Sequence, residues 1–338
     1  MEDFSLKNPI QVKFFENLKL SVPKNVSIAN DIAEVLGISQ DGAYRRMRGE
    51  SVLSMDEMVK LCRHYRISSD FHALADDSNA TFRFQKMFSD ENGVDNYIKN
   101  ILADLLKIKD SHPKHIVYVA ADMPLFIQFL LPEYSAFKMF FWQRAVLNLS
   151  SMEGKKFSVS EIKHDIVEMC KKISETYTQI PSTEIWHQDI IASNLNLIEF
   201  AWDSGMFASK EDAIIICKKL SEMLAIVEKQ AEKSSKFREE AKWAENEGNF
   251  TMYQSEFVLM NNHIFVTAGN TNIIYLTHNT FNSISTTNSV FCCETEKWLK
   301  SLIRKSTLIS GVGEKQRHTF FKKAQEKVSN LVSRITES

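Results

Sequence analysis

Glycine and proline are scarce in this 338-residue chain, with ten of one and six of the other. Average usage of the two together is about 12%, so a turn-rich all-β fold is disfavoured and long helices are expected. Cysteine is equally limited. The five cysteines, at 62, 170, 217, 292 and 293, are odd in number and form no CxxC. A disulfide framework or a zinc site is therefore not expected, and a reducing compartment is the simple reading. Neither charge is in excess, since 41 Lys and Arg face 43 Asp and Glu. Any electrostatic affinity for nucleic acid must come from a local patch. The first residues, MEDFSLKNPIQVKFF, contain no apolar signal-peptide core. The longest apolar stretches, such as 123–131, fall far short of the ~20 residues of a membrane span. The chain reads as soluble and cytoplasmic.

What is present is ordinary globular material. Hydrophobic residues make up 44% and charged residues 25%, and at ~150 residues per domain the length suggests about two domains. Phe4, Ile10, Phe14, Phe15 and Leu18 recur at helical spacing before Pro23. Helical patterns follow at about 28–36, 40–48 and 54–66. The small, polar stretch 73–80 reads as a linker. Beyond it come a helix at about 91–109, a β-branched strand at 115–120, and helical patterns from 124 to about 245. Strands are expected at about 253–260, 263–267 and 272–277, then a helix at 291–309 and another ending near 335. The fold class is mainly α with a smaller β component. It divides into an all-α domain, residues 1–78, and a helix-rich α+β domain, residues 79–338.

The most informative segment is IANDIAEVLGISQDGAYRRMRGESVLSMDEMVKLCRHYRIS, residues 28–68. Two short helices joined by a tight turn need a small residue at their crossing, a turn residue that accepts positive φ, and an apolar residue after it. Ala33, Gly37 and Ile38 supply these in order. Ser39 is placed to cap the next helix, Ala43 and Met47 face inward at i, i+4, and Gly49 stands where a C′ glycine belongs. Ser54 and Glu57 have the spacing of a capping box.

This segment resembles the Cro/C1-type (xenobiotic-response-element) helix-turn-helix family. The resemblance rests on Ala33, Gly37-Ile38-Ser39, the polar helix 40–48, Gly49 and Ile67-Ser68. Gly42 and the small Ala43 depart from the family pattern; a helix-interior glycine costs about 1 kcal/mol against alanine. The resemblance implies a transcriptional regulator that places helix 40–48 in the major groove of duplex DNA. The implied contact set is Ser39, Gln40, Asp41, Tyr44, Arg45, Arg46 and Arg48. Gln40 would bond adenine and Arg45 or Arg46 guanine, with Tyr44 and Arg48 on phosphates. The charge pattern agrees. Arg45, Arg46, Arg48, Lys60, Arg63 and Arg66 cluster here, although residues 1–78 are not basic overall.

Residues 115–143 and 252–291 are unusually aromatic, and resemble the C-terminal regions of helix-turn-helix regulators from Bacteroidetes. That likeness implies an effector or dimerisation domain and a homodimer, whose two-fold axis would match a palindromic operator. No catalytic motif stands out. HExxH and GxSxG are absent, and GVGEK at 311–315 lacks Walker A spacing. Neither cofactor nor metal is expected. Asp122 follows a strand, where catalytic acids often sit, but Asp before Met-Pro is also a common turn former. Cys292-Cys293 suggests redox sensing, against the commonness of buried free cysteine. The glycine-rich 310–313 turn precedes a helix start, and Lys315 and Arg317 beside it could receive an anionic effector. The alternative from another class is an enzyme or ligand-binding protein whose helical head mediates protein contacts.

Overall fold

The structure is a computed structural model that describes residues 8–20, 27–65, 79–87, 92–162, 164–239, 244–257 and 259–338. Phe4, Pro23, Arg66, Ile67-Ser68 and most of the 73–80 stretch lie outside the described residues. The chain forms two compact units, Met1–Thr81 and Phe82–Ser338.

The small unit contains α1 (Pro9–Leu20), α2 (Ile28–Leu36), α3 (Gln40–Met47) and α4 (Met55–Tyr65). Each contributes apolar residues to one core: Phe14, Phe15 and Leu18, then Ala29 and Ile32, Ala43 and Met47, and Leu61 and Cys62. α2 ends because Gly37 turns left-handed, at φ +66°. Its N–H bonds the Glu34 carbonyl at 3.2 Å, and the Ile38 N–H bonds the Ala33 carbonyl at 3.0 Å. These two bonds satisfy carbonyls that the helix end would leave open. Ser39 Oγ then accepts the Gly42 N–H at 3.1 Å and starts α3. Glu57 Oε2 accepts the Ser54 N–H at 2.9 Å, and Ser54 Oγ accepts the Glu57 N–H at 3.2 Å, which starts α4.

The large unit is α+β, built on an eight-stranded mixed sheet in the order β1-β7-β6-β5-β2-β3-β4-β8. The strands are β1 (Arg83–Phe84), β2 (Lys114–Ala120), β3 (Ser182–His187), β4 (Phe250–Ser255), β5 (His263–Ala268), β6 (Thr271–His278), β7 (Asn282–Thr286) and β8 (Thr307–Leu308). β2, β3 and β4 are parallel; every other pairing is antiparallel. Parallel neighbours need long crossovers. α6 (Leu125–Gln128), α7 (Pro132–Phe141) and α8 (His164–Thr178) lead from β2 to β3, and α9 (Ala192–Asp203) and α10 (Lys210–Lys233) from β3 to β4.

Strand alternation divides the core between the two sheet faces. Ile116, Tyr118, Ala120 and Trp186 face the thick helical layer, which also includes α5 (Gly93–Asp110) and α12 (Glu314–Glu337). Val119, Ile185, Phe265 and Ile274 pack on Cys292, Leu299 and Leu302 of α11 (Ser289–Arg304). The aromatic 126–142 segment belongs to the first core, with Tyr134 and Phe137 fully buried. Glu184 is buried within β3 and accepts hydrogen bonds from Tyr177 Oη and Trp186 Nε1, both at 2.6 Å. The buried Lys236 ammonium donates to the Ile180 carbonyl and lies 3.7 Å from the Tyr177 ring centre. Burial pushes the Glu184 carboxyl up and the Lys236 ammonium down, and the charge of each opposes the other's shift.

The sheet is larger than the sequence suggests. β3 lies inside a stretch expected to be helical; its residues alternate Ser182, Glu184, Trp186 against Thr183, Ile185, His187, and β2 and β4 pair it on both sides. The helix expected to reach 245 stops at Lys233, where Ser234 turns left-handed at φ +49°. The β4 strand begins three residues before the expected start. α11 ends at Arg304, not 309, because Thr307–Leu308 pairs with β4 instead.

Candidate nucleic-acid interface

The exposed side of α3 is set by what its other side buries. Ala43 and Met47 enter the core of the small unit, so Gln40, Asp41, Tyr44, Arg45 and Arg48 remain exposed. Ser39 is also exposed, with its hydroxyl committed to the helix cap. Gly42 has a local reason. A β-carbon there would sit 3.3 Å from Ser39 Oγ and 3.7 Å from Arg46 Nη1. The first approach is tight and the second an ordinary contact, so glycine chiefly leaves room for the Ser39 cap.

The three arginines are not equivalent. Arg45 is exposed and makes no ion pair among the described residues. Arg48 forms a fork with Glu50 at 2.7 and 2.9 Å, in the open, which raises its pKa. Pairs this exposed contribute little. Arg46 reaches across to α4 and donates to both Glu57 oxygens at 2.8 and 3.1 Å, with both side chains about four-fifths covered. Burial works to raise the Glu57 carboxyl, but hydrogen bonds from Arg46 and Ser54 outweigh it, and the net shift is downward. Arg46 is thus engaged as a brace between α3 and α4.

A residue with no sequence signal completes the corner. Gln11 of α1 is buried, and its amide bonds three backbone groups, one in the last turn of α3 and two in the α3–α4 connection. Nε2 donates to the carbonyls of Arg46 at 2.8 Å and Ser51 at 2.7 Å; Oε1 accepts the Leu53 N–H at 2.9 Å. From α2, Asp31 accepts the Tyr65 hydroxyl of α4 at 2.5 Å. Lys60 and Arg63 lie exposed on α4.

In the large unit, Lys315 is exposed but Arg317 is not. The Arg317 guanidinium turns inward and donates to the carbonyls of Ile309 at 3.1 Å and Gly311 at 2.9 Å. It holds the 309–313 turn closed, so the two side chains do not converge on an effector. Asp122 ends β2 in a turn. Its Oδ1 accepts the Met123 N–H at 2.8 Å, and Asn262 Oδ1 accepts the N–H groups of Ala121 and Asp122. Cys292 is buried and Cys293 exposed, on different sides of α11. Among the described residues no group of three or more His, Cys, Asp or Glu is placed to hold a metal, and no helix is long and apolar enough to cross a membrane. No family model matches the chain, and no curated protein or solved structure matches it either.

Proposed function

We propose that this chain is a sequence-specific DNA-binding transcriptional regulator, a cytoplasmic helix-turn-helix protein of the Cro/C1 type that uses α3 as its recognition helix. The observation that carries this reading is the α2–α3 corner. A left-handed Gly37 ends α2, the Ser39 cap starts α3 two residues later, and the exposed side of α3 carries Arg45, which makes no ion pair among the described residues. Gln40 at the helix start contacts adenine, and Arg45 contacts guanine. Tyr44, Lys60 and Arg63 take phosphates, as does Arg48 once it exchanges Glu50 for one. Arg46 acts indirectly, by fixing α3 against α4. The large unit dimerises the protein and receives a small-molecule effector, so that two α3 helices address a palindromic site one helical turn apart. No cofactor takes part.

The test is the salt dependence of binding to duplex DNA selected from genomic fragments. Binding should weaken steeply, with log K falling by about 0.9 per phosphate contact for each decade of salt. Affinity that is absent, or flat with salt, rejects the reading.

A further inference from the structure

The carboxyl ends of β3 and β4 open on a groove that DNA binding leaves unused. It has a volume of about 180 Å³. Gln188 and Asp189 follow β3 and line one side; Gln254, near the end of β4, lines another. α12 closes the third side with Thr319, Lys323 and Lys327, which share one helix face at i, i+4, i+8. The buried Phe320 ring forms the floor.

Two features give the groove a chemical preference. Gln188, Gln254 and Lys323 line this space, the first and last exposed to solvent, and none of the three side chains has a hydrogen-bond partner among the described residues. The local charge is positive, with two lysines against one carboxylate. That carboxylate, Asp189, is held by Lys327, whose hydrogen bond keeps it below the usual carboxylate range. Lys323 is left as the uncompensated cation.

We propose that this groove is a binding site for a small oxyanion, the phosphate or carboxylate group of a metabolite-sized molecule. Lys323 supplies the charge-assisted bond, the two glutamine amides donate further N–H groups, and the Asp189–Lys327 pair forms a wall that reorients as Lys327 shares the anion. This places an effector two turns along α12 from Lys315, at the rim where the exposed Thr319 and Lys323 border the buried Phe320.

Calorimetric titration of the full chain tests the site, with inorganic phosphate in one arm, succinate in a second, and sodium chloride at matched ionic strength as the control. Saturable heat with phosphate alone identifies a phosphoryl ligand, and with succinate alone a carboxylate. Lys323→Ala should weaken that binding at least about tenfold, the loss expected of one charge-assisted hydrogen bond. Gln254→Ala should weaken it less, and Lys315→Ala, outside the groove, should leave it unchanged. Far-UV circular dichroism of each variant controls for folding. No saturable heat from either anion, or equal affinity in the Lys323 and Lys315 variants, overturns the proposal. Because the readout is anion binding, its failure leaves the DNA reading standing, and failure of the DNA reading leaves this site standing.

Discussion

Arg45 and Arg46 are adjacent, identical in chemistry and opposite in expected role, so separating them is the sharpest test of the corner geometry. Arg45→Ala removes an exposed side chain with no protein partner, and folding should change by less than about 0.5 kcal/mol. If Arg45 makes one bidentate base contact, operator affinity should fall roughly 5- to 150-fold. Arg46→Ala removes two charge-assisted bonds to Glu57. Bonds to charged groups contribute about 1.5–3 kcal/mol each when sheltered. With about a fifth of each side chain still exposed, solvent screening reduces the pair to about 1–2 kcal/mol. For a unit of this size that is about 4–16 °C in melting temperature. Hydrogen exchange of peptides from α3 and α4, measured in the full chain, reads stability where it should change. Fluorescence anisotropy on a selected duplex reads affinity. Arg46→Ala should accelerate exchange across both helices and weaken DNA binding as a consequence; Arg45→Ala should weaken binding with exchange unaltered. An Arg46 variant with native exchange but no DNA binding would refute the brace. An Arg45 variant with native affinity would refute the placement of α3.

Glu57 carries a pH signature. Its folded-state pKa lies below the unfolded value, so the unfolded chain binds more protons through that window, and stability is lost as pH falls below about 4.5. Exchange at the start of α4 should rise on acidification, and Glu57→Gln should flatten that dependence; an unaltered slope would remove Glu57 from the account. Gln11→Leu should cost about 2–4 kcal/mol, because three partly covered backbone groups lose their partners at once; denaturant unfolding of the full chain checks this, and a cost below about 0.5 kcal/mol would show the clamp to be idle. The full chain should sediment as a dimer at micromolar concentration, and residues 82–338 should do the same; monomers throughout would reject the proposed two-fold mode of operator binding.

The small unit was largely legible in the sequence because its signals are local. Gly37, Ile38 and Ser39 act within five residues of their partners, and Ser54 and Glu57 within three. Gln11 was not legible, since the groups it bonds lie 35–42 residues away. Arg46 looked like its neighbours for the same reason, with Glu57 eleven residues on and a full turn of chain between. In the large unit, β3 escaped notice because a six-residue strand buried on both faces need not alternate apolar and polar. Its Glu184 reads as a surface residue until Tyr177 and Trp186 are seen to satisfy it. Arg317 misled in the other direction. Sequence proximity to Lys315 suggested a shared site, but two residues on a helix is about 200° of rotation, and Arg317 points to the interior.

The buried Glu184 and Lys236 meet through their fields alone. Tyr177 and Trp186 bond the carboxyl, the Ile180 carbonyl accepts from Lys236, and no ion pair joins the two among the described residues. The charge of each opposes the shift that burial imposes on the other. Losing one therefore lets the other shed its charge inside the helical layer rather than carry it unpaired, so a single substitution at either position changes first the protonation of its counterpart.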